Sequence, residues 1–133
     1  MTSPTQLTLK RLRRDGWLAE VTERWNPYGG ARVMRDGVLK PVGNRVDLYG
    51  CIDVLAVRSF VHGPDAGILG VQCTSRANQS ARLKKAMALP ALHTFLAGGG
   101  RFQVWGWKKI GRRWEVTIRA VAMSEVERPK VAK

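Results

Sequence analysis

Two apolar stretches near the middle of the chain decide the fold: VDLYGCIDVLAV at residues 46–57 and GVQCTS at residues 70–75. Both are largely continuous apolar runs, the pattern of strands that are buried on both faces. A Gly-x-x-Asp element places the carboxylate of Asp53 at the mouth of the first run. The second run carries Gln72 and Thr74 at alternate positions, so both side chains point to one face of a strand. Oxygen ligands from two adjacent strands can hold a hard cation such as Mg²⁺ beside a phosphate.

The elements around these strands are predicted in the order helix, strand, strand, strand, helix, strand, strand. The predicted helices are 5–14 and 77–97, and the predicted strands are 17–25, 47–57, 68–74, 102–107 and 114–121. Pro90 predicts a kink or a break in the second helix. Residues 31–45 are predicted to form a loop or a loose hairpin. This order is typical of an α/β sandwich with a mixed sheet flanked by helices.

Length and charge limit the class of protein. With 133 residues the chain predicts a single domain over residues 1–125 and a disordered basic tail over residues 126–133. It has 23 Lys and Arg residues against 10 Asp and Glu residues, a net charge of +13. Such an excess destabilises the compact state by self-repulsion unless a polyanion offsets it. We therefore expect a polyanionic partner, and a nucleic acid in particular.

The cysteines and the apolar pattern bear on the compartment. Cys51 and Cys73 are predicted to face opposite sides of the sheet, which favours free thiols and a reducing cytoplasm. No apolar run approaches the roughly 20 residues of a membrane span, and the N-terminus lacks the apolar core of a signal peptide. We expect a cytoplasmic protein with no membrane contact.

Cations are concentrated where phosphate binding is plausible on physical grounds. Ser75 or Asn78 can cap the helix that follows the second apolar run, and its N-terminal dipole favours a phosphate. The last two strands flank a basic turn over residues 108–113, beside tryptophans that belong either to the core or to a base-stacking surface. The predicted DNA contacts are Arg45, Arg76, Arg82, Lys84, Lys85, Lys108 and Arg112.

Taken in order, these features resemble the PD-(D/E)XK nuclease superfamily, especially small archaeal Holliday-junction resolvases and their phage or mobile-element relatives. The resemblance covers residues 5–107: an opening basic helix, a strand with an acidic residue, Gly-x-x-Asp, a polar-x-polar triplet and a following helix. It implies a restriction-endonuclease-like fold and a homodimer. It also implies hydrolysis of phosphodiester bonds in duplex or branched DNA with Mg²⁺, for which Mn²⁺ is expected to substitute.

The resemblance also implies roles for individual residues. Asp53 matches the metal-binding Asp of the family. Gln72 stands where the family has a metal-binding Glu, and Thr74 stands where it has the Lys that positions the attacking water. A Gln carbonyl can bind a hard cation but brings no negative charge. A Thr hydroxyl cannot supply the cation of a Lys.

Nearby residues can compensate for these two departures. Asp47 can restore the negative charge if the chain bends between it and Asp53. Glu23 resembles the additional acidic ligand of the family, with Glu20 as its rival. Lys85 or Lys84 can reach back to the vacated Lys position. The predicted metal ligands are Asp53, Gln72, Asp47 and Glu23, and the predicted catalytic residues are Asp53, Gln72, Thr74 and Lys85.

Two other functions remain open on the sequence. A chain that kept the fold and lost the Glu and the Lys would be a DNA-binding module without catalysis. A basic RNA-binding or assembly protein is the third alternative, although the aromatic signature of the common RNA modules is missing.

Overall fold

A five-stranded mixed sheet with helices on both faces forms the centre of the computed structural model, which describes residues 2–22, 24–26, 32–35, 38–41 and 44–130. The elements are α1 (Pro4–Arg14), β1 (Leu18–Val21), β2 (Arg24–Asn26), β3 (Arg32–Arg35), β4 (Val38–Pro41), β5 (Asn44–Val46), β6 (Val54–Arg58), β7 (Gly67–Ser75), α2 (Gln79–Met87), α3 (Pro90–Ala97), β8 (Arg101–Ile110) and β9 (Arg113–Val121). The predicted α/β sandwich is confirmed.

The order of strands in the central sheet is β1-β6-β7-β8-β9. β6 runs antiparallel to both of its neighbours, β1 and β7. α2 and α3 then carry the chain across to β8, which runs parallel to β7. β9 returns antiparallel to β8 and forms one edge of the sheet. β2 pairs with β5, and β3 pairs with β4, in two separate two-stranded ladders.

α1 covers one face of the sheet, which we call the α1 face. The hydroxyl of Ser3 accepts a hydrogen bond from the Gln6 N–H at 3.2 Å, and Pro4 occupies the first turn, where its missing N–H costs nothing. Leu9 and Leu12 are buried against the sheet. The α1-face core also contains Ala19, Val54, Ala56, Leu69, Val71, Trp105 and Trp107.

α2 and α3 cover part of the other face, which we call the site face because Gln72 and Thr74 lie on it. Pro90 breaks the predicted helix in two, and Leu89 before it is extended, as the residue preceding a proline prefers to be. The core on this side contains Cys51, Ile52, Ala86, Leu92, Phe102, Val104, Val121 and Val126. None of the helices in the described part of the chain is long and apolar enough to cross a membrane.

Several predicted boundaries are wrong. The predicted strand 17–25 is interrupted after Val21, and its last residues belong to β2. The predicted strand 47–57 begins only at Val54, because residues 48–52 form a turn in which Tyr49 has a φ of 56°. Strands occupy most of the predicted turn 108–113. Within 31–45, predicted as a loop or a loose hairpin, β3 and β4 pair as antiparallel strands, in agreement with the hairpin alternative.

The segment predicted to be a disordered tail begins in contact with the sheet. Val126 is buried among the core residues of the site face. The Glu127 N–H donates to the Met87 carbonyl at 2.8 Å. The chain is therefore held against α2 as far as residue 127.

Thr8 links α1 to the far strand β8 and provides a test of the α1 face. Its side chain is completely buried, and its hydroxyl accepts a hydrogen bond from Trp107 Nε1 at 2.9 Å and donates to the Pro4 carbonyl at 2.8 Å. Thr8→Val keeps the shape and leaves the buried indole N–H unpaired, so we expect the free energy of unfolding in urea to fall by about 1–3 kcal/mol. Thr8→Ser keeps the hydroxyl and should lose less, and equal losses in the two variants would contradict this role.

Candidate functional site

Asp53 directly precedes β6 and lies beside Gln72 and Cys73 of β7. Its N–H donates to the Val71 carbonyl at 2.9 Å, although Val71 is already the partner of Val54, so two residues oppose one residue of β7 and the regular ladder ends there. The Asp53 carboxylate meets the Gln72 amide next to this irregularity. The structure thus brings together the first two residues of the predicted site.

Two hydrogen bonds hold the Asp53 carboxylate. Its Oδ2 accepts the Cys73 backbone N–H at 2.8 Å and Gln72 Nε2 at 3.2 Å. Asp53 is only 5 % exposed, so its charged form loses most of its contact with water. Burial and the neighbouring Asp47 carboxyl raise the pKa of Asp53 to about 7, against the opposing effect of the Cys73 and Gln72 hydrogen bonds.

The turn at residues 48–52 brings Asp47 to Asp53. The Leu48 N–H donates to the Ile52 carbonyl at 3.0 Å, and the Ile52 N–H returns to the Leu48 carbonyl at 2.9 Å. The chain therefore doubles back between the two acids, and Asp47 makes hydrogen-bonding contact with Asp53. Sequence reasoning required a bend here, and a tight turn around Gly50, which has a φ of 82°, supplies it.

β1 ends against the same site. The Thr22 N–H donates to the Asp53 carbonyl at 2.9 Å, and the Thr22 hydroxyl donates to the Ile52 carbonyl at 2.6 Å. Glu23, the predicted additional ligand, is the next residue in the chain but lies outside the described residues. Its rival Glu20 is largely exposed and pairs with Arg13 at 3.5 Å.

Thr74 completes the row of polar side chains on the site face of β7. It is buried, as Gln72 is, and it lies opposite Gly106 of β8. Lys84 and Lys85, which are predicted to replace the Lys of the family at position 74, are both exposed on α2. Among the described residues, no hydrogen bond or ion pair joins either lysine to Asp53 or Asp47.

Gln79 holds the start of α2 on the sheet and was missed by the sequence analysis. Its Nε2 donates to the carbonyls of Val104 at 3.0 Å and Thr117 at 2.6 Å. A Cβ on Gly106 would lie 2.8 Å from Gln79 Oε1, so the glycine makes room for this contact. The only sequence signal was a glycine within an otherwise bulky strand, which often marks close approach of another group.

The N-terminus of α2 lacks the predicted caps. Neither Ser75 nor Asn78 makes a side-chain capping hydrogen bond, because a short 3-10 turn over Arg76–Asn78 separates the strand from the helix. Arg76 is half-buried in this turn, and its Nε has no hydrogen-bond partner within the described structure. Arg82 is exposed further along α2. For Arg45, only the backbone in β5 belongs to the described structure.

The three tryptophans of β8 and β9 divide into two kinds. Trp105 and Trp107 are buried, and their indole N–H groups donate to Gln103 Oε1 and Thr8 Oγ1, both at 2.9 Å. Trp114 is 39 % exposed and lies beneath Lys109, whose Nζ is 5.9 Å from the ring centroid. The neighbouring cations Lys108 and Arg112 are also exposed.

Both cysteines are free. They lie on opposite faces of the sheet, as predicted: Cys51 is in the site-face core, and Cys73 packs against the α1-face core. Burial raises the pKa of each thiol to about 12, which makes reactive thiolates unfavourable at neutral pH.

The donor set of the site fits a hard divalent cation. Two carboxyl groups, an amide and a hydroxyl are oxygen donors of the kind that Mg²⁺ prefers. A cation would also offset the burial and the proximity of Asp47 that raise the pKa of Asp53. No group of three His, Cys, Asp or Glu residues with metal-binding geometry occurs in the described ranges, so the set depends on Gln72 and Thr74 beside the two acids.

Comparison of the chain with models of known families, with curated proteins and with solved structures finds no match in any of the three.

The raised pKa of Asp53 predicts how stability depends on pH. Between its usual value near 3.8 and about 7, the unfolded chain loses the proton that the folded chain retains, so this residue lowers stability as the pH rises through that window. Asp53→Asn removes the effect. We expect the variant to be more stable than the wild type by roughly 1–3 kcal/mol at pH 8, with a smaller difference at pH 4.

Urea unfolding at both pH values in EDTA measures this difference. Asp65→Asn is the matched control, because Asp65 is a largely exposed carboxylate near the start of β7, at the other end of the strand from Gln72. A stability difference for Asp53→Asn that is the same at pH 4 and pH 8 would contradict the shifted pKa.

Proposed function

We propose that this protein is a metal-dependent endonuclease that hydrolyses phosphodiester bonds in duplex or branched DNA. The observation that carries the proposal is the contact of the buried Asp53 with the half-buried Asp47, beside the central strands of a chain with a net charge of +13. Two adjacent carboxyl groups, one of them shielded from water, favour a proton or a cation between them. The cationic excess elsewhere on the chain makes a polyanion the natural substrate.

Asp53, Asp47 and Gln72 would hold Mg²⁺ or Mn²⁺, with Glu23 as a further acidic ligand on the basis of the resemblance. The ion, when bound, would polarise the scissile phosphate and stabilise the charge that develops on it. The Cys73 N–H and the Gln72 amide fix the orientation of the Asp53 carboxylate before any ligand arrives. Such preorganisation reduces the cost of binding and of reaction.

Because Thr74 stands where the family has a Lys, the cation of that Lys must come from a residue outside β7. Thr74 can donate or accept a hydrogen bond at the phosphate but carries no charge. Lys85 or Lys84 on the exposed side of α2 would supply the cation by moving its flexible side chain toward the bound phosphate. The order of the elements, with a basic helix before the strands and α2 after the polar triplet, agrees with the resemblance.

The surface around the site supports DNA binding. The start of α2 has no side-chain cap, and the positive end of its dipole favours a phosphate. Arg76 and Arg82 lie on the segment that follows Thr74, and Lys108 and Arg112 lie on the β8–β9 hairpin. Arg45 is assigned to the same role on the basis of the sequence alone.

A DNA-binding module without catalysis is the second candidate. The observation that favours it is the pair Gln72 and Thr74, which replaces one negative and one positive charge of the family pattern by neutral groups. Loss of both charges weakens the hold on a cation and on the attacking water. The two acids would then be a remnant of the site.

Two further features of the proposal come from the sequence. The free cysteines agree with the reducing cytoplasm that we propose as the compartment. The homodimer that the resemblance implies stays a prediction. Leu18, Val57 and Ile68 form an exposed apolar row across three adjacent strands of the site face and are available for such a contact.

Cleavage assays test the proposal directly. A labelled four-way junction and a linear duplex are incubated with Mg²⁺, Mn²⁺ or EDTA. We expect cleavage with either metal, none in EDTA, and a loss of at least about 100-fold in Asp53→Asn, because removal of a charged metal ligand removes transition-state stabilisation. Asp65→Asn should retain full activity. Gln72→Glu should lower the Mg²⁺ concentration needed for half-maximal rate.

The outcome separates the two candidates. Tight DNA binding without cleavage by the wild type or by Gln72→Glu, under either metal, would reject the nuclease and leave the DNA-binding module. Cleavage that survives in Asp53→Asn would show that the catalytic site lies elsewhere.

The salt dependence of binding tests the phosphate contacts. Each lysine or arginine that neutralises a phosphate contributes about 0.9 to the slope of log affinity against log salt concentration. Arg82→Ala should therefore lower the slope by about 1. Arg14→Ala is the control, because Arg14 lies at the far end of α1 beside Asp15. Equal changes in both variants would indicate binding through overall charge and no defined surface.

A further inference from the structure

The β8–β9 hairpin extends past the sheet at the end where the candidate site lies. The pairing of β7 with β8 ends at Ser75 and Trp107, whereas β8 and β9 remain paired as far as Ile110 and Arg113. With a rise of about 3.3 Å per residue, the tip projects roughly 10 Å beyond β7. We call residues 108–115 the hairpin tip. A two-residue turn closes it, with Gly111 at a φ of 63°, as the favoured tight hairpin turns require.

The hairpin tip is strongly cationic. Every residue in it is exposed, and it contains Lys108, Lys109, Arg112 and Arg113 against the single acid Glu115. Within the described structure, no ion pair neutralises any of these four cations. A narrow projection of this charge next to a phosphodiester site is suited to contact a nucleic-acid backbone.

The two faces of the hairpin tip carry different chemistry. Lys108 and Arg113 point to the site face, because they have the parity of Gly106 and Thr117, which face Thr74 and Gln79. Lys109 and Trp114 are directly opposite each other and point to the α1 face, with the parity of Trp107. The cations that face the site and the exposed indole therefore lie on opposite sides of one thin hairpin.

Trp114 differs from the neighbouring Trp107 because α1 does not cover it. Trp107 is buried under α1 and satisfied by Thr8. Trp114 lies beyond the reach of that cover, and no described residue accepts a hydrogen bond from its indole N–H. A large exposed aromatic ring beside a lysine is a platform for base stacking, since every base has a π-face and the lysine can meet the adjoining phosphate.

We propose that the hairpin tip binds single-stranded DNA by stacking an unpaired base on Trp114 while Lys109 contacts its phosphate. Bases within an intact duplex are stacked on each other and cannot reach a ring on the far side of the hairpin. The substrate of the site would then be DNA with an unpaired segment, such as a fork or an overhang, in which the hairpin tip separates the two strands. This inference rests on the proposed function for the identity of the ligand as DNA and for the statement about the substrate of the site.

Binding in EDTA tests the inference without any cleavage. The probes are labelled (dT)20, a forked duplex with single-stranded arms, a fully paired duplex and a fully paired four-way junction. We expect Trp114→Ala to weaken binding of (dT)20 and of the fork by at least about fivefold, the lower limit for loss of one stacked base. Affinity for the two fully paired probes should change by less than about twofold by the same reasoning.

Matched variants make the result specific. Trp114→Phe keeps a stacking ring and should retain most of the affinity for (dT)20. Ile118→Ala is the control, because Ile118 is exposed on the same face of β9 but lies opposite Trp105. Equal weakening on paired and unpaired probes in Trp114→Ala, or no weakening at all, would overturn the inference.

Fluorescence supplies a second measurement if Trp114→Ala does not fold. Stacking of a thymine should quench the emission of Trp114, so (dT)20 should quench the wild type more than Trp114→Phe. Equal quenching in these two proteins would overturn the inference. Failure of the proposed nuclease and failure of the proposed base stacking can be told apart. Absence of cleavage by the wild type in the Mg²⁺ assays would reject the nuclease without affecting Trp114-dependent binding of (dT)20.

Discussion

The hydrogen bonds of Asp53 join the start of β6 to β7 and to the end of β1, and they set the geometry of the candidate site. One oxygen of its carboxylate accepts hydrogen bonds from the Cys73 N–H and the Gln72 amide on β7, while the backbone of the same residue binds Thr22 after β1. Burial of a charged carboxylate is unfavourable in free energy unless such hydrogen bonds offset the loss of water. The raised pKa of Asp53 indicates that its hydrogen bonds offset the loss of water only in part. The neighbouring Asp47 carboxyl raises the pKa further. A site that is unfavourable on its own and rigidly held is suited to a cation.

The electrostatic attraction exerted by the whole chain acts over a longer range than the hydrogen bonds of the Asp53 site. A net charge of +13 attracts any polyanion, but it cannot by itself distinguish a duplex from a single strand. That distinction requires shape and aromatic surface at defined places. The hairpin tip provides both, because it is thin, projects beyond β7, and carries cations on the site face and Trp114 on the other. The acids, the uncapped helix and the hairpin tip lie around one end of the sheet.

Much of the fold could be predicted because its elements have strong local signals. β7 is a continuous apolar run, α1 has leucines at helical spacing, and Pro90 cannot continue a helix. The errors fall where a local pattern was ambiguous. The apolar residues at 48–52 suited a strand, but the left-handed conformations of Tyr49 and Gly50 turn the chain back on itself. The cations at 108–113 suited a turn, but the hairpin continues as paired strand to its tip.

The candidate site shows the same division between local and distant information. The sequence alone determined that Gln72 and Thr74 face one way from the same strand, because side-chain direction in a strand follows directly from residue spacing. It also determined the α/β class and the cationic character. Only the tertiary structure decided that Asp47 meets Asp53, that Gln79 holds α2 against Gly106, and that Trp114 stays exposed while Trp107 is buried. The physical reason is that each of these depends on where a distant segment ends, and such contacts leave no periodic trace in the sequence.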